Sequence, residues 1–207
     1  MDEIRTIKCV AIGDGYVGKT SLLSRLSGKP MDECYLSTIF ENSKVAVNYK
    51  NENYELFLID TAGQEDYNFL RTQAYSYGDI FLLCYSVDNM DSFINVRETW
   101  LPDVSNCKEN AKFLLVGLKS DLRTDPETID RLNISKRIFV SKGDAENMST
   151  KLGIPHIECS AKEQENFDEI RNKIIELGKT VNTMDSEYYS YSCSLITAIK
   201  RAFCCND

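Results

Sequence analysis

Eight consecutive residues, Gly13-Asp14-Gly15-Tyr16-Val17-Gly18-Lys19-Thr20, fit the pattern G-x-x-x-x-G-K-[ST], whose chemistry is the cradling of a polyphosphate. Gly15 and Gly18 let the main chain approach an anion with no Cβ in the way. The loop amides and the start of the helix that follows, read from Ser21, point N–H groups at it. Lys19 adds a point charge at the β- and γ-phosphates, and the Thr20 hydroxyl is a hard oxygen ligand for Mg²⁺. Gly13, Asp14, Tyr16, Val17 and Ser21 complete the wall of this nucleotide site.

Three later segments add what a phosphate loop alone does not specify. Leu58-Ile59-Asp60-Thr61-Ala62-Gly63-Gln64-Glu65 puts a carboxylate at a strand end, then a turn of small residues and a glutamine. Asp60 can hold a water of the Mg²⁺ shell, the Gly63 amide can meet a γ-phosphate, and Gln64 can orient an attacking water. With Lys19, Gly63 and Gln64 form the catalytic set. Val116-Gly117-Leu118-Lys119-Ser120-Asp121 ends another strand. There Asp121 can accept from both N1–H and the 2-amino group of guanine, a donor pair adenine lacks. Ser160-Ala161-Lys162 can give a backbone amide to the guanine O6. A lone D-x-x-G is a common turn and a lone K-x-D is weak. In this order, each at a strand's C-terminal end, they describe one site at the edge where ligands bind in open α/β sheets.

The elements needed to hold these segments are legible as well. Ile4–Ile12, Asp79–Tyr85 and Lys112–Gly117 are apolar, strand-like runs, and such runs suit a mainly parallel sheet flanked by helices. Lys44–Tyr49 and Tyr54–Ile59 read as a hairpin turning at Lys50-Asn51-Glu52-Asn53, and a short strand passes through Ile157. Ser21–Leu26, Ser92–Asn106 and Asn166–Val181 carry helical spacing, the last with a core stripe of Phe167, Ile170, Ile174 and Leu177. The alternation argues an α/β fold. Lys and Arg number 24 against 32 Asp and Glu, a net charge of −8, so a general nucleic-acid partner is not expected. The eight cysteines show no metal spacing, and with one histidine a Cys/His zinc site is not expected either. The first residues lack the apolar core of a signal peptide, and no run of 18 apolar residues occurs. A reducing, cytosolic setting is expected.

Taken together, GDGYVGKT (13–20), YLSTIFEN (35–42), DTAGQEDY (60–67) and SAK (160–162) resemble a small GTPase, and within that superfamily the Rho/Rac family. Trp100-Leu101-Pro102 is another Rho-like feature. So is the long stretch from Asp121 to Glu158, in which Pro126–Asn133 would be an extra helix with Asp125 as its cap. The resemblance covers about residues 5–180. It implies a single P-loop GTPase domain over residues 1–181, with a six-stranded, mainly parallel sheet flanked by helices. It also implies a switch that binds GTP or GDP with Mg²⁺. Thr38 would ligate the metal and hold the γ-phosphate through its amide, and Tyr35 would close over the phosphates. Tyr35, Ser37, Thr38, Ile39, Phe40, Glu41, Asn42, Tyr67 and Leu70 would face effectors, and hydrolysis would release both switch loops. The chain departs from the family at several points. Leu118 replaces the Asn or Thr that opens the guanine motif, and Met31 stands where a Phe packs on the base. Ile59 replaces a Trp that exchange factors read, Ser37 a Pro, and Phe69 an Arg, while Tyr16 is bulky where a small residue is usual.

Residues 182–207 read as a flexible tail ending Cys204-Cys205-Asn206-Asp207. This end is more similar to the C-C-x-x ends of Rab-type GTPases, where both cysteines are geranylgeranylated, than to a C-a-a-X box. Lys200 and Arg201 are outnumbered by Asp185, Glu187 and Asp207, so a polybasic second signal is missing and two lipids are favoured over one. The resemblance implies an exchange factor, an activating protein, a dissociation inhibitor and effectors of cytoskeletal type as partners of a monomer. It places the protein on the cytoplasmic face of plasma or internal membranes, with a cytosolic pool. The phosphate loop and first switch segment contain no arginine, so one supplied in trans is expected to speed a slow hydrolysis. A P-loop kinase or ATPase, and a GTP-binding module without hydrolysis, are the competing readings. Asp121 with Ser160-Ala161-Lys162 argues against the first, and Gln64 with Thr38 against the second.

Overall fold

The computed structural model describes residues 4–29, 40–61 and 68–181. Met31, Tyr35, Ser37, Thr38, Ile39, Gly63, Gln64, Tyr67, Cys204 and Cys205 lie outside the described residues. Phe40, Glu41 and Leu70 are placed by their backbone alone.

Six strands form one sheet: β1 (Arg5–Ile12), β2 (Phe40–Tyr49), β3 (Glu52–Thr61), β4 (Ile80–Ser86), β5 (Lys112–Leu118) and β6 (His156–Glu158). Their order is β2-β3-β1-β4-β5-β6. Only β2 and β3 are antiparallel; β1 runs parallel to β3 and β4, and β5 parallel to β4 and β6. The sheet is thus the mainly parallel, six-stranded one expected. All seven residues of β4 are buried, as a strand covered on both faces requires.

Helices cover both faces. One core layer joins Leu22, Leu23 and Leu26 of α1 (Lys19–Leu26) and Phe167, Ile170 and Ile174 of α7 (Phe167–Gly178) to Cys9, Leu56, Leu82 and Cys84 of the sheet. Of the expected α7 stripe, Leu177 is only partly buried, and Ile175 takes a buried place instead. Gly178 is needed where α7 crosses β1, since a Cβ there would come within 2.5 Å of Ile7 Cδ1. The opposite layer packs Tyr75 of α2 (Asn68–Tyr77) and Phe93, Val96 and Trp100 of the helix after β4 against Val10, Phe81, Leu83 and Tyr85.

Several elements differ from the sequence reading, and α2 is absent from it. The β2–β3 turn is only Lys50-Asn51, with φ of 51° and 64°, and Glu52 and Asn53 already pair across the hairpin. Two consecutive left-handed residues match the twist of the strands better than a four-residue loop. The helix read from Ser92 starts earlier and is not uniform. It comprises α3 (Met90–Asn95), a π turn (Val96–Trp100) and α4 (Leu101–Cys107), with Asn89 capping the N–H groups of Asp91 and Ser92. Pro102 has no N–H, and its ring conflicts with the carbonyl four residues back, a sufficient cause for the wider turn just before it. α6 (Lys142–Leu152) has no counterpart in the sequence reading; Ser141 caps it and Gly153 ends it at φ 66°. The extra helix α5 (Pro126–Ile134) forms as expected, its Thr128 N–H donating to Asp125 Oδ2 at 2.9 Å.

The single histidine, His156, opens β6 beside β5 with its ring stacked on Tyr85, and the Tyr85 hydroxyl is 2.9 Å from His156 Nε2. Burial holds its pKa below the ordinary 6.5, against a smaller opposing pull from Glu158 and Glu146. Below pH 6.5 the unfolded chain takes up a proton that the folded chain resists, so stability is lost as the pH falls through 6.5. Denaturant midpoints between pH 7.5 and 5.5 should therefore fall more steeply for the wild type than for His156→Gln; parallel slopes would contradict this.

Candidate nucleotide site

The phosphate loop leaves β1 at Ile12 and enters α1 at Lys19. Two glycines are demanded by the protein itself. A Cβ on Gly13 would sit 2.2 Å from the Cys84 carbonyl oxygen of β4, and Gly18 caps α1 at φ 112°. Gly15 is different: among the described residues no atom beyond its chain neighbours lies within 4 Å of where its Cβ would be, so their packing does not require glycine there. Tyr16 adopts a left-handed φ of 63° with its ring exposed, and its carbonyl accepts a hydrogen bond from Lys119 Nζ at 2.9 Å.

Lys19 is the charged centre of the loop. It is 6% exposed, and its Nζ donates to the carbonyls of Gly13 and Asp14 at 2.8 and 2.7 Å. Burial lowers its pKa, and the charges of Asp60 and Asp14 oppose the shift. Val17 is buried beneath the loop. Thr20, one residue into α1, lines a cavity together with Ser24, Asn42 and Asp60. Asp60 is 3% exposed near the end of β3, paired in register with Ala11, and the neighbouring Thr61 hydroxyl donates to the Ala11 carbonyl at 2.7 Å. A hydroxyl and a carboxylate opening on one cavity beside Lys19 are hard oxygen donors that fit Mg²⁺. Among the described residues no cluster of three His, Cys, Asp or Glu could hold a metal unaided.

Asp121 lies in a 3₁₀ turn (Ser120–Thr124) directly after β5, and Ser160 follows β6. The buried Ser160 hydroxyl donates to Asp121 Oδ1 at 2.6 Å and accepts from the Glu163 N–H at 3.0 Å, which fixes its direction. Each carboxylate oxygen accepts more than once, so Asp121 keeps capacity for a bidentate donor pair. Lys119 bridges the two loops, its stem passing Gly18 and its ammonium on the Tyr16 carbonyl. Sequence reasoning missed a second brace. Arg123 pairs bidentately with Glu158 at 2.6 and 3.1 Å, both half-buried or less exposed, and so pins the Asp121 turn to the start of the Ser160-Ala161-Lys162 segment. Lys162 itself is exposed.

A Ras-family model matches residues 8–180. The chain belongs to the Ras family. As in Ras-family proteins generally, it is a small GTPase switch that binds GTP and GDP, generally with Mg²⁺, hydrolyses GTP, and works with exchange factors, activating proteins and effectors. The matched segment runs from within β1 to just past α7, and so takes in both the phosphate loop and the Asp121 turn.

Leu118 ends β5 at the edge of the described site. It is 3% exposed, with Cδ1 within 3.7 Å of where a Gly18 Cβ would lie. Leucine therefore supports the phosphate loop by packing, without a hydrogen bond. An asparagine there would add a hydrogen bond to the same loop, worth about 0.5–1.5 kcal/mol. GDP release from Leu118→Asn should be about 2- to 10-fold slower than from the wild type. Unchanged or faster release would show that the apolar contact matters more.

Proposed function

We propose that this small GTPase is a switch of the Rho type, signalling to effectors from a membrane. The observation that carries the nucleotide reading is Asp121, braced by Ser160 and held beside the Lys19 loop through Lys119. The loop takes the phosphates through Gly13 to Ser21, with Lys19 on the β- and γ-phosphates, and Asp121 takes the guanine edge. Lys119 and Met31 pack about the base, and Ser160, Ala161 and Lys162 meet its O6. Thr20 and Thr38 would hold Mg²⁺, with Asp60 acting through a water. Gln64 aligns the attacking water in line with the γ-phosphate, which the Gly63 amide and Lys19 stabilise as its charge develops. Unaided hydrolysis is slow, because no arginine of the phosphate loop reaches the transition state, and an activating protein supplies one.

The Rho assignment is supported by helix α5 with its Asp125 cap and by Trp100-Leu101-Pro102. Effectors of cytoskeletal type would read Tyr35 to Asn42 together with Tyr67 and Leu70 in the GTP state. Ile59, Ser37 and Phe69 would narrow the set of exchange factors that act. The domain closes near residue 181, and residues 182–207 serve as a tail. Prenylation of Cys204 and Cys205 would bring a monomer to the cytoplasmic face of a membrane, and a dissociation inhibitor would maintain the cytosolic pool.

Single-turnover phosphate release tests the hydrolytic part. Gln64→Leu should keep GTP bound while slowing release at least tenfold, since about 1.4 kcal/mol of barrier is a factor of ten; a wild-type rate would remove Gln64 from this role. Fractionation tests the tail. Replacing Cys204 and Cys205 together by Ser should shift the protein from membranes to cytosol, and either alone should shift it in part. Unchanged partition of the double variant would overturn the lipid assignment.

A further inference from the structure

Asp14 carries a carboxylate in a loop that receives a polyanion, and both of its oxygens are held by the helix after β4. Asn95 Nδ2–H donates to Oδ2 at 2.8 Å and Trp100 Nε1–H donates to Oδ1 at 2.7 Å. In a regular α-helix, residues five apart lie about 140° apart around the axis. The π turn between them, in which the Leu101 N–H donates to the Val96 carbonyl five residues back, widens the circuit and brings both donors to one carboxylate. The indole is braced on its face. Trp100 is 5% exposed, and the guanidinium of Arg71, in α2, stands 5.3 Å from its ring centroid. One turn further along α2, the Tyr75 hydroxyl donates to Asp103 at 2.9 Å.

We propose that Asn95 and Trp100 are positioning residues of the nucleotide site: they hold the Asp14 carboxylate against the π turn and so keep its charge from the bound phosphates. This inference rests on the nucleotide reading above. Two N–H donors on one carboxylate fix its side chain and share out its charge. Without them the Asp14 side chain is free to rotate, and a negative group one residue from Gly15 repels the anion. The fault then lies in the charge of Asp14 and not in the packing of α3, which gives the inference a signature that a structural role lacks.

The experiment is GDP dissociation from the full chain in Mg²⁺. Stoichiometric GDP on the wild type comes first; its absence would overturn the nucleotide reading itself. Trp100→Phe and Asn95→Ala should each speed release about 10- to 150-fold, the range for hydrogen bonds to a charged group. In an Asp14→Ala background, whose own rate is the reference, each should change release less than about twofold. Equal acceleration in both backgrounds, or none in either, would overturn the proposal. Trp100 is the single tryptophan of the chain, so its emission reports on this place directly. Asn95→Ala should keep the wild-type emission maximum, showing the indole still buried, while GDP release accelerates. Acceleration accompanied by the emission of an exposed indole would assign the effect to lost packing and overturn the clamp.

Discussion

Lys19 is almost fully buried at the start of α1, with its ammonium on the carbonyls of Gly13 and Asp14. A charge out of water has to be met by polar partners, and two carbonyls meet it only if the chain curls back around the side chain. That curl presses Gly13 against the Cys84 carbonyl, leaving no room for a Cβ. It therefore depends on β1 lying beside β4 in register, Cys9 with Ile80 through Ile12 with Leu83. The same curl ends at the head of a helix, where an anion would find free N–H groups and a nearby cation. The central strands, the phosphate loop and the affinity for a polyanion are in this sense one arrangement.

The Asp121 side is built differently, from side chains that tie one strand end to the next. Ser160 braces Asp121, Arg123 joins Glu158, and Lys119 reaches across to Tyr16. None of these contacts lies within an element, so each loop is placed by its neighbours. Leu118 fits this scheme as a packing residue beside Gly18, next to the Lys119 tether. The Asp121 turn is therefore placed by ties between loops, and the phosphate loop by its packing on β4.

Much of this was legible in the sequence, because the informative patterns are local. The phosphate loop, the central strands, the Asp125 cap and Pro126 are contiguous signals with one physical reading each. α6 escaped for an opposite reason: only Ala145 of its eleven residues is buried, so it has no apolar stripe, although Ser141, Asp144 and Gly153 mark its ends. The hairpin was drawn too long because Glu52 and Asn53 look like turn residues, while Lys50 and Asn51 alone can make the turn. The Asp14 clamp could not be read at all. Its donors stand 81 and 86 residues away, and they converge only because a π turn shifts the helix face.

The claim on which the account turns is that Asp121, braced by Ser160, chooses the base after the Lys19 loop has taken the phosphates. Competition against bound fluorescent GDP, in Mg²⁺ and with the full chain, measures this most directly. GTP and GDP should displace the probe at near-stoichiometric concentrations, and ATP and ADP should fail even in large excess. Displacement by ATP at concentrations similar to GTP would contradict the account, because the phosphate loop would then be binding without the guanine reader beside it.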